Sequence, residues 1–240
     1  MKTHILILAA GHGGFSTGEN DYPLCLTEAD GVALIERIVA NAAKVTDAAF
    51  TFALRDEDIR HFHLDRCVDL LAPGARVVRV AEGTQGSACT ALLAAAQYPP
   101  DDEVLVVSAN EWVDMDFANI LASFRERKLD GGALSFRSIH PRYSYVRLNE
   151  DGLVCEAAQQ NPISQYATAG LFYFARAGEF VEAIKEMIRK GASVKGVFYV
   201  CPAFNELILK QRRVGVLPLD TKRYHPLKST RQVEQFEALA

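Results

Sequence analysis

The sequence predicts an α/β protein with a mixed, mostly parallel central sheet flanked by helices. Three observations carry this prediction. Short continuous apolar runs recur, as expected of strands buried on both faces, and they alternate with amphipathic helical stretches. From residue 131 that alternation gives way to closely spaced strands joined by a hairpin turn. The first part reads as a doubly wound half and the second as a mixed half.

The apolar run over residues 3–9 is the first strand. Residues 10–31, rich in Gly, Asn, Asp and Pro, form a loop of about twenty residues, a length that in a compact domain usually serves function. A helix over 32–44 follows, then a strand over 48–54 and a mostly helical stretch over 55–71. The strand 76–80 leads into a helix over 87–97, and a strand over 103–108 into a helix over 115–127. Beyond them, strands are expected over 132–137, 144–148 and 153–158. Asn149, Glu150, Asp151 and Gly152 join the last two as a hairpin turn. A strand over 169–174, helices over 177–190 and 202–210, a strand over 214–219 and a helix over 231–238 complete the pattern. No repeat, low-complexity tract or linker interrupts it, so residues 1–240 read as one domain with lobes at 1–128 and 129–240.

Composition agrees with a folded α/β chain. Of 240 residues, 49% are hydrophobic and 23% charged, and a chain of this size buries about 70–75% of its unfolded surface. Its 26 Lys and Arg against 30 Asp and Glu leave a formal charge of −4, which argues against a general nucleic-acid binder. Cys25, Cys67, Cys89, Cys155 and Cys201 are odd in number and scattered, and read as reduced thiols in a cytoplasmic protein. The N-terminal apolar run, Ile5 to Ala10, ends in glycines rather than a cleavage site, and no run approaches the ~20 apolar residues that cross a bilayer. The expectation is a soluble, unprocessed chain with neither a membrane nor a nucleic-acid partner.

Leu8-Ala9-Ala10-Gly11-His12-Gly13-Gly14 resembles the opening motif L-A-A-G-x-G-x-R of the sugar nucleotidyltransferases, the nucleoside-diphosphate-sugar pyrophosphorylases. Pro23-Leu24-Cys25-Leu26 stands where that family has P-K-x-L, and Gly31-Val32-Ala33-Leu34-Ile35 looks like its G-x-P-L-I helix entry. Glu82-Gly83-Thr84-Gln85-Gly86-Ser87-Ala88 is similar to its base-binding loop, and Val106 to Asn110 to the strand ending in a metal-binding aspartate. Glu156 to Pro162 and Ala169 to Phe174 look like the sugar-side E-K-x-P and the strand after it. The resemblance spans residues 5–219 in family order. It implies a Rossmann-like nucleotidyltransferase (GT-A type) fold, with a nucleotide-side lobe over 1–128 and a sugar-side β-hairpin lobe over 129–240.

The same resemblance locates departures. Phe15 stands in place of the family's phosphate-clamping Arg, Leu24 of its catalytic Lys, and Asn110 of its metal-ligand Asp. Gln159 and Gln160 replace the sugar-side Glu-Lys pair, and Pro226-Leu227-Lys228-Ser229-Thr230 stands roughly where the family has D-x-G-T-P. Without any alignment, no Lys or Arg occurs between Lys2 and Arg37, while Glu19, Asp21, Glu28 and Asp30 lie in or beside the loop. A triphosphate is therefore expected to meet a net negative rim. Charge-assisted hydrogen bonds contribute about 1.5–3 kcal/mol each, so losing three costs roughly 5–9 kcal/mol, or on the order of 10³–10⁶ in rate.

Several groups remain as candidates for ligand binding. Ala10, Gly11, His12, Gly13 and Gly14 present backbone N–H groups, and Thr84, Gln85 and Gly86 can read a nucleobase edge. Asn110, Glu111 and Gly170 complete the predicted set. Asp114 and Asp116 form a D-x-D that leads into a helix, where Asp caps well; the other reading is a metal site. His140 and His225 lack carboxylate neighbours at ligand spacing, so no metal site is assigned to them. Tyr143, Tyr145 and Arg147 alternate, which fits a cleft lining or a half-buried strand.

The expected function is that of a catalytically impaired family member, a regulatory or ligand-binding subunit in sugar-nucleotide or surface-polysaccharide metabolism. No cofactor is expected. The partners expected are a small-molecule nucleotide or sugar, and a second copy or an active paralogue. Two alternatives stay open. One is an active nucleotidyltransferase or glycosyltransferase with Mg²⁺ on Glu111, Asp114 or Asp116; the other is a binding module for a neutral sugar or nucleoside.

Overall fold

Seven consecutive buried residues, Thr3–Ala9, form β1, and their alternation explains the layering. Ile5 and Ile7 enter one hydrophobic core while Leu6 and Leu8 enter a second on the opposite face. The computed structural model describes residues 2–11 and 22–238. After β1 come two short strands, β2 (Glu28–Ala29) and β3 (Val32–Ala33), and helix α1 (Leu34–Ala42). Next are β4 (Ala48–Arg55), α2 (Asp56–Phe62), α3 (Leu64–Leu71), β5 (Arg76–Val80) and α4 (Ser87–Ala95). The strands β6 (Glu103–Ser108) and β7 (Glu111–Val113) precede α5 (Phe117–Glu126).

The second half runs β8 (Gly131–Arg137), β9 (Ser144–Leu148), β10 (Val154–Gln159) and β11 (Tyr166–Phe174), then α6 (Ala177–Arg189) and α7 (Phe204–Leu209). It ends with β12 (Val214–Pro218), β13 (Tyr224–Pro226) and α8 (Thr230–Glu237). In the main sheet β5, β4, β1 and β6 are parallel neighbours. Antiparallel β11 joins β6 and carries β8 and the β9–β10 hairpin, while β12 pairs parallel with β8. This is the mixed sheet expected, flanked by helices on both faces. The helix α1 turns Leu34, Ile35, Ile38, Val39 and Ala42 inward, and α6 does the same with Phe180, Ala183, Ile184 and Met187.

Several details differ from the sequence prediction. The helix expected from residue 32 begins at Leu34, because Val32 and Ala33 pair as β3, and the helix expected over 202–210 is α-helical only over Phe204–Leu209. The helical stretch over 55–71 is two helices, because His63 adopts the left-handed conformation with φ 51° and breaks the run. The strand predicted over 169–174 begins at Tyr166, extended by its pairing with β8 and β9. The pairs β2–β3 and β7–β13, two or three residues per strand, are additional. No helix among the described residues is long and apolar enough to cross a membrane.

Candidate functional site

The strand order reverses at β1, with β4 and β5 on one side and β6 on the other. A reversal of this kind leaves a crevice beyond the carboxyl ends of the parallel strands. A cavity of about 650 Å³ lies there, a size that accepts a small-molecule ligand. The end of β1 supplies Ala10 and Gly11, the end of β6 supplies Asn110 and Glu111, and the loop before α4 supplies Thr84, Gln85 and Gly86. From the second half come Gln159, Gln160 and Gly170. Leu24 lies in the wall of this cavity. His12, Gly13, Gly14 and Phe15, with Glu19 and Asp21, lie outside the described residues.

Each wall is fixed by the chain in a definite way. Gly86 has φ 98°, and a Cβ there would lie 2.4 Å from the carbonyl oxygen of Phe198. Phe198 N–H donates to Gln85 O at 2.9 Å, and Ala88 N–H donates to Phe198 O at 3.1 Å, so the 82–86 loop is tied to the segment beyond α6. Thr84 Oγ1 donates to Ala81 O at 2.9 Å. Across the cavity, Ser144 donates to Gln159 Oε1, and Gln160, at φ 55°, donates its N–H to Tyr143 O. The Cys201 thiol in the cavity wall is pushed up to about 12 by burial, as is Cys25, so neither is a thiolate near neutral pH.

The D-x-D residues lie outside this cavity. Asp116 caps α5, accepting from the N–H groups of Ala118 and Asn119, and pairs with Lys44 at 3.3 Å. Those bonds hold its carboxyl below the usual carboxylate range. Asp114 is largely exposed and lies 3.9 Å from Arg223.

The expected net negative rim does not hold for the described part of the cavity. Arg55, Arg142 and Lys228 line it, against Glu82 and Glu111. None of these cations lies in the loop over 10–31; the fold brings them from distant segments. Arg55 is buried and donates to Asp58 at 2.6 Å. Arg142 is held by the His140 ring and by Gln232 Oε1.

Lys228 is the residue sequence reasoning missed as a site group. Its placement follows from β13, which lies antiparallel to β7 with Pro226 opposite Glu111, after which Leu227 N–H donates to Asn110 O at 2.9 Å. The Lys228 ammonium then sits 3.4 Å from Glu111 Oε2 and 5.3 Å from the centre of the Tyr143 ring. The Tyr224 hydroxyl also donates to Glu111 Oε2. Burial, with the Glu111 carboxylate beside it, raises the Tyr224 phenol well above its usual value, so it remains a donor.

Solved structures similar to this one include a nucleoside-diphosphate-sugar pyrophosphorylase from Vibrio cholerae RC9 (TM-score 0.77, 20% identity, 97% of this chain and 98% of that chain covered). The CTP:phosphocholine cytidylyltransferase of Streptococcus pneumoniae superimposes with a TM-score of 0.73 at 16% identity, over 99% and 98% of the two chains. A UDP-glucose pyrophosphorylase complexed with UDP-glucose gives 0.75 at 12% identity, over 99% and 97%. The fold is that of the nucleotidyltransferases. No family model and no curated protein sequence matches the chain.

The nucleotidyltransferase fold, through the sequence resemblance, implies Mg²⁺ at the end of β6, and the groups there do not fit it. Magnesium is held by oxygen ligands, one or two of them carboxylates. Asn110 offers a neutral amide whose Oδ1 is buried without a hydrogen-bond partner among the described residues. Glu111, the one carboxylate at this strand end, has Oε2 engaged by Tyr224 and Lys228. Among the described residues no three His, Cys, Asp or Glu side chains converge elsewhere as an alternative.

Proposed function

We infer that this nucleotidyltransferase-like protein binds a nucleotide, sugar or sugar-nucleotide ligand in the cavity at the ends of β1 and β6. Its metal-dependent nucleotidyl transfer is impaired, and it acts as a regulatory or ligand-binding subunit in sugar-nucleotide or surface-polysaccharide metabolism. One observation carries this reading. The cavity stays roomy while neutral groups, Leu24, Asn110, Gln159 and Gln160, face it. Nucleotidyl transfer depends on neutralising developing charge at the phosphates, and neutral side chains do little of that work. Shape and hydrogen-bonding groups for binding are retained.

The test has two arms. A thermal-shift screen with nucleoside triphosphates, sugar 1-phosphates and nucleoside-diphosphate sugars is expected to find a stabilising ligand, with a gain of about 2.7 kcal/mol at a hundred times its Kd. A pyrophosphate-release assay with the same compounds and Mg²⁺ is expected to show no turnover above background. Clear pyrophosphate release would overturn the impairment. The cations Arg142 and Lys228 favour a second reading, an active transferase with an altered site, and that assay separates the two.

A further inference from the structure

We propose that the Lys228 ammonium holds a phosphate group of the ligand directly, in place of a divalent cation. The proposal rests on the ligand reading above and adds which group carries the charge and that no metal is required.

The geometry supports it at each step. Glu111 is buried, with its side chain 4% exposed, and such a carboxylate needs a compensating cation. Lys228 meets that need from the C-terminal segment, its side chain still 26% exposed and lining the cavity. Gly170 leaves the room this requires, since a Cβ there would lie 2.0 Å from Glu111 Oε1. Tyr224 shares the Glu111 oxygen, and the Tyr143 ring lies against the ammonium, so the head group is held in position before any ligand arrives. Arg142 lines the same cavity without a carboxylate in its ion-pair range among the described residues. Two cations facing one cavity suit an anion with several oxygens, such as a diphosphate or phosphate ester. A divalent ion on Glu111 would share this one buried carboxylate with the ammonium and find its other protein ligands among neutral amides such as Asn110.

The test uses the whole chain with two probes that do not depend on knowing the nucleotide. Inorganic pyrophosphate is titrated calorimetrically in EDTA and again with Mg²⁺, and Mn²⁺ alone is titrated with the free-ion electron paramagnetic resonance signal as readout. Wild-type protein is expected to bind pyrophosphate equally well in EDTA and to leave Mn²⁺ free. Lys228→Gln is expected to weaken pyrophosphate by about tenfold or more, and Lys228→Arg to restore most of the affinity. Circular dichroism and thermal melting establish that each variant is folded; if Lys228→Gln is not, the wild-type measurements and Lys228→Arg decide.

Stoichiometric Mn²⁺ binding by the wild type overturns the proposal. So does pyrophosphate binding that is absent, that requires Mg²⁺, or that survives Lys228→Gln unchanged. EDTA-resistant, Lys228-dependent pyrophosphate binding with no thermal shift from any nucleotide or sugar compound upholds Lys228 as the anion group and removes the ligand class proposed above.

Discussion

Gly170 and Glu111 show how closely single residues are matched at this site. A Cβ on Gly170 would lie 2.0 Å from Glu111 Oε1 and 2.6 Å from Ser108 Oγ, with both groups held by the sheet. Gly170→Ala is therefore expected to destabilise the protein by about 1–3 kcal/mol, read from urea denaturation, and to weaken pyrophosphate binding by displacing the Glu111 carboxylate. From sequence, Gly170 and Glu111 are separate ligand-binding candidates with nothing to relate them. Their relation is steric and appears only when β11 lies against the end of β6. Lys228 is less legible still, because from sequence it is one residue of a segment, 226–230, that lacks an expected aspartate, and its charge acquires meaning once β13 lies beside β7.

At the scale of elements, the long apolar strands were readable and the short ones were not. Residues 3–9, 76–80, 103–108 and 144–148 have the bounds predicted; for 3–9 and 103–108 this is because burial on the sheet and the run of apolar side chains are the same fact. The strand β7 contains a buried glutamate and β13 a proline, so neither carries an apolar period, and only their pairing makes them strands. That pairing is held partly by Tyr224, whose hydroxyl donates to the buried Glu111 carboxylate. Tyr224→Phe removes a hydrogen bond to a charged group and is expected to cost about 1.5–3 kcal/mol, seen as a lower denaturant midpoint with an unchanged m-value. The break at His63 was missed for a related reason. One residue with a left-handed backbone leaves the helical pattern on either side intact.

For the whole molecule, the buried thiols set a limit on alkaline stability. Cys25 and Cys201 have their ordinary value of 9.0 raised to about 12, with burial as the main cause. Because the folded-state values are raised, their contribution is fully present below the unfolded value and is lost as pH rises through the folded one. Stability is therefore expected to decline from about pH 9 towards pH 12, measured as a falling urea midpoint, and Cys25→Ala with Cys201→Ala should flatten that decline. The global architecture was the most legible level, since alternating strands and helices leave few ways to arrange a doubly wound half. What the sequence could not convey is which distant segments close over the strand ends.

That closure has a consequence for how the protein is made. Glu111 and Lys228 lie 117 residues apart, so a ribosome adding about 5–20 residues per second needs roughly 6–23 s to pass from one to the other. Throughout that interval the nascent chain carries a carboxylate whose partner has not yet been translated. The parallel strands can gather early, but the anion site becomes complete only once Lys228 has emerged.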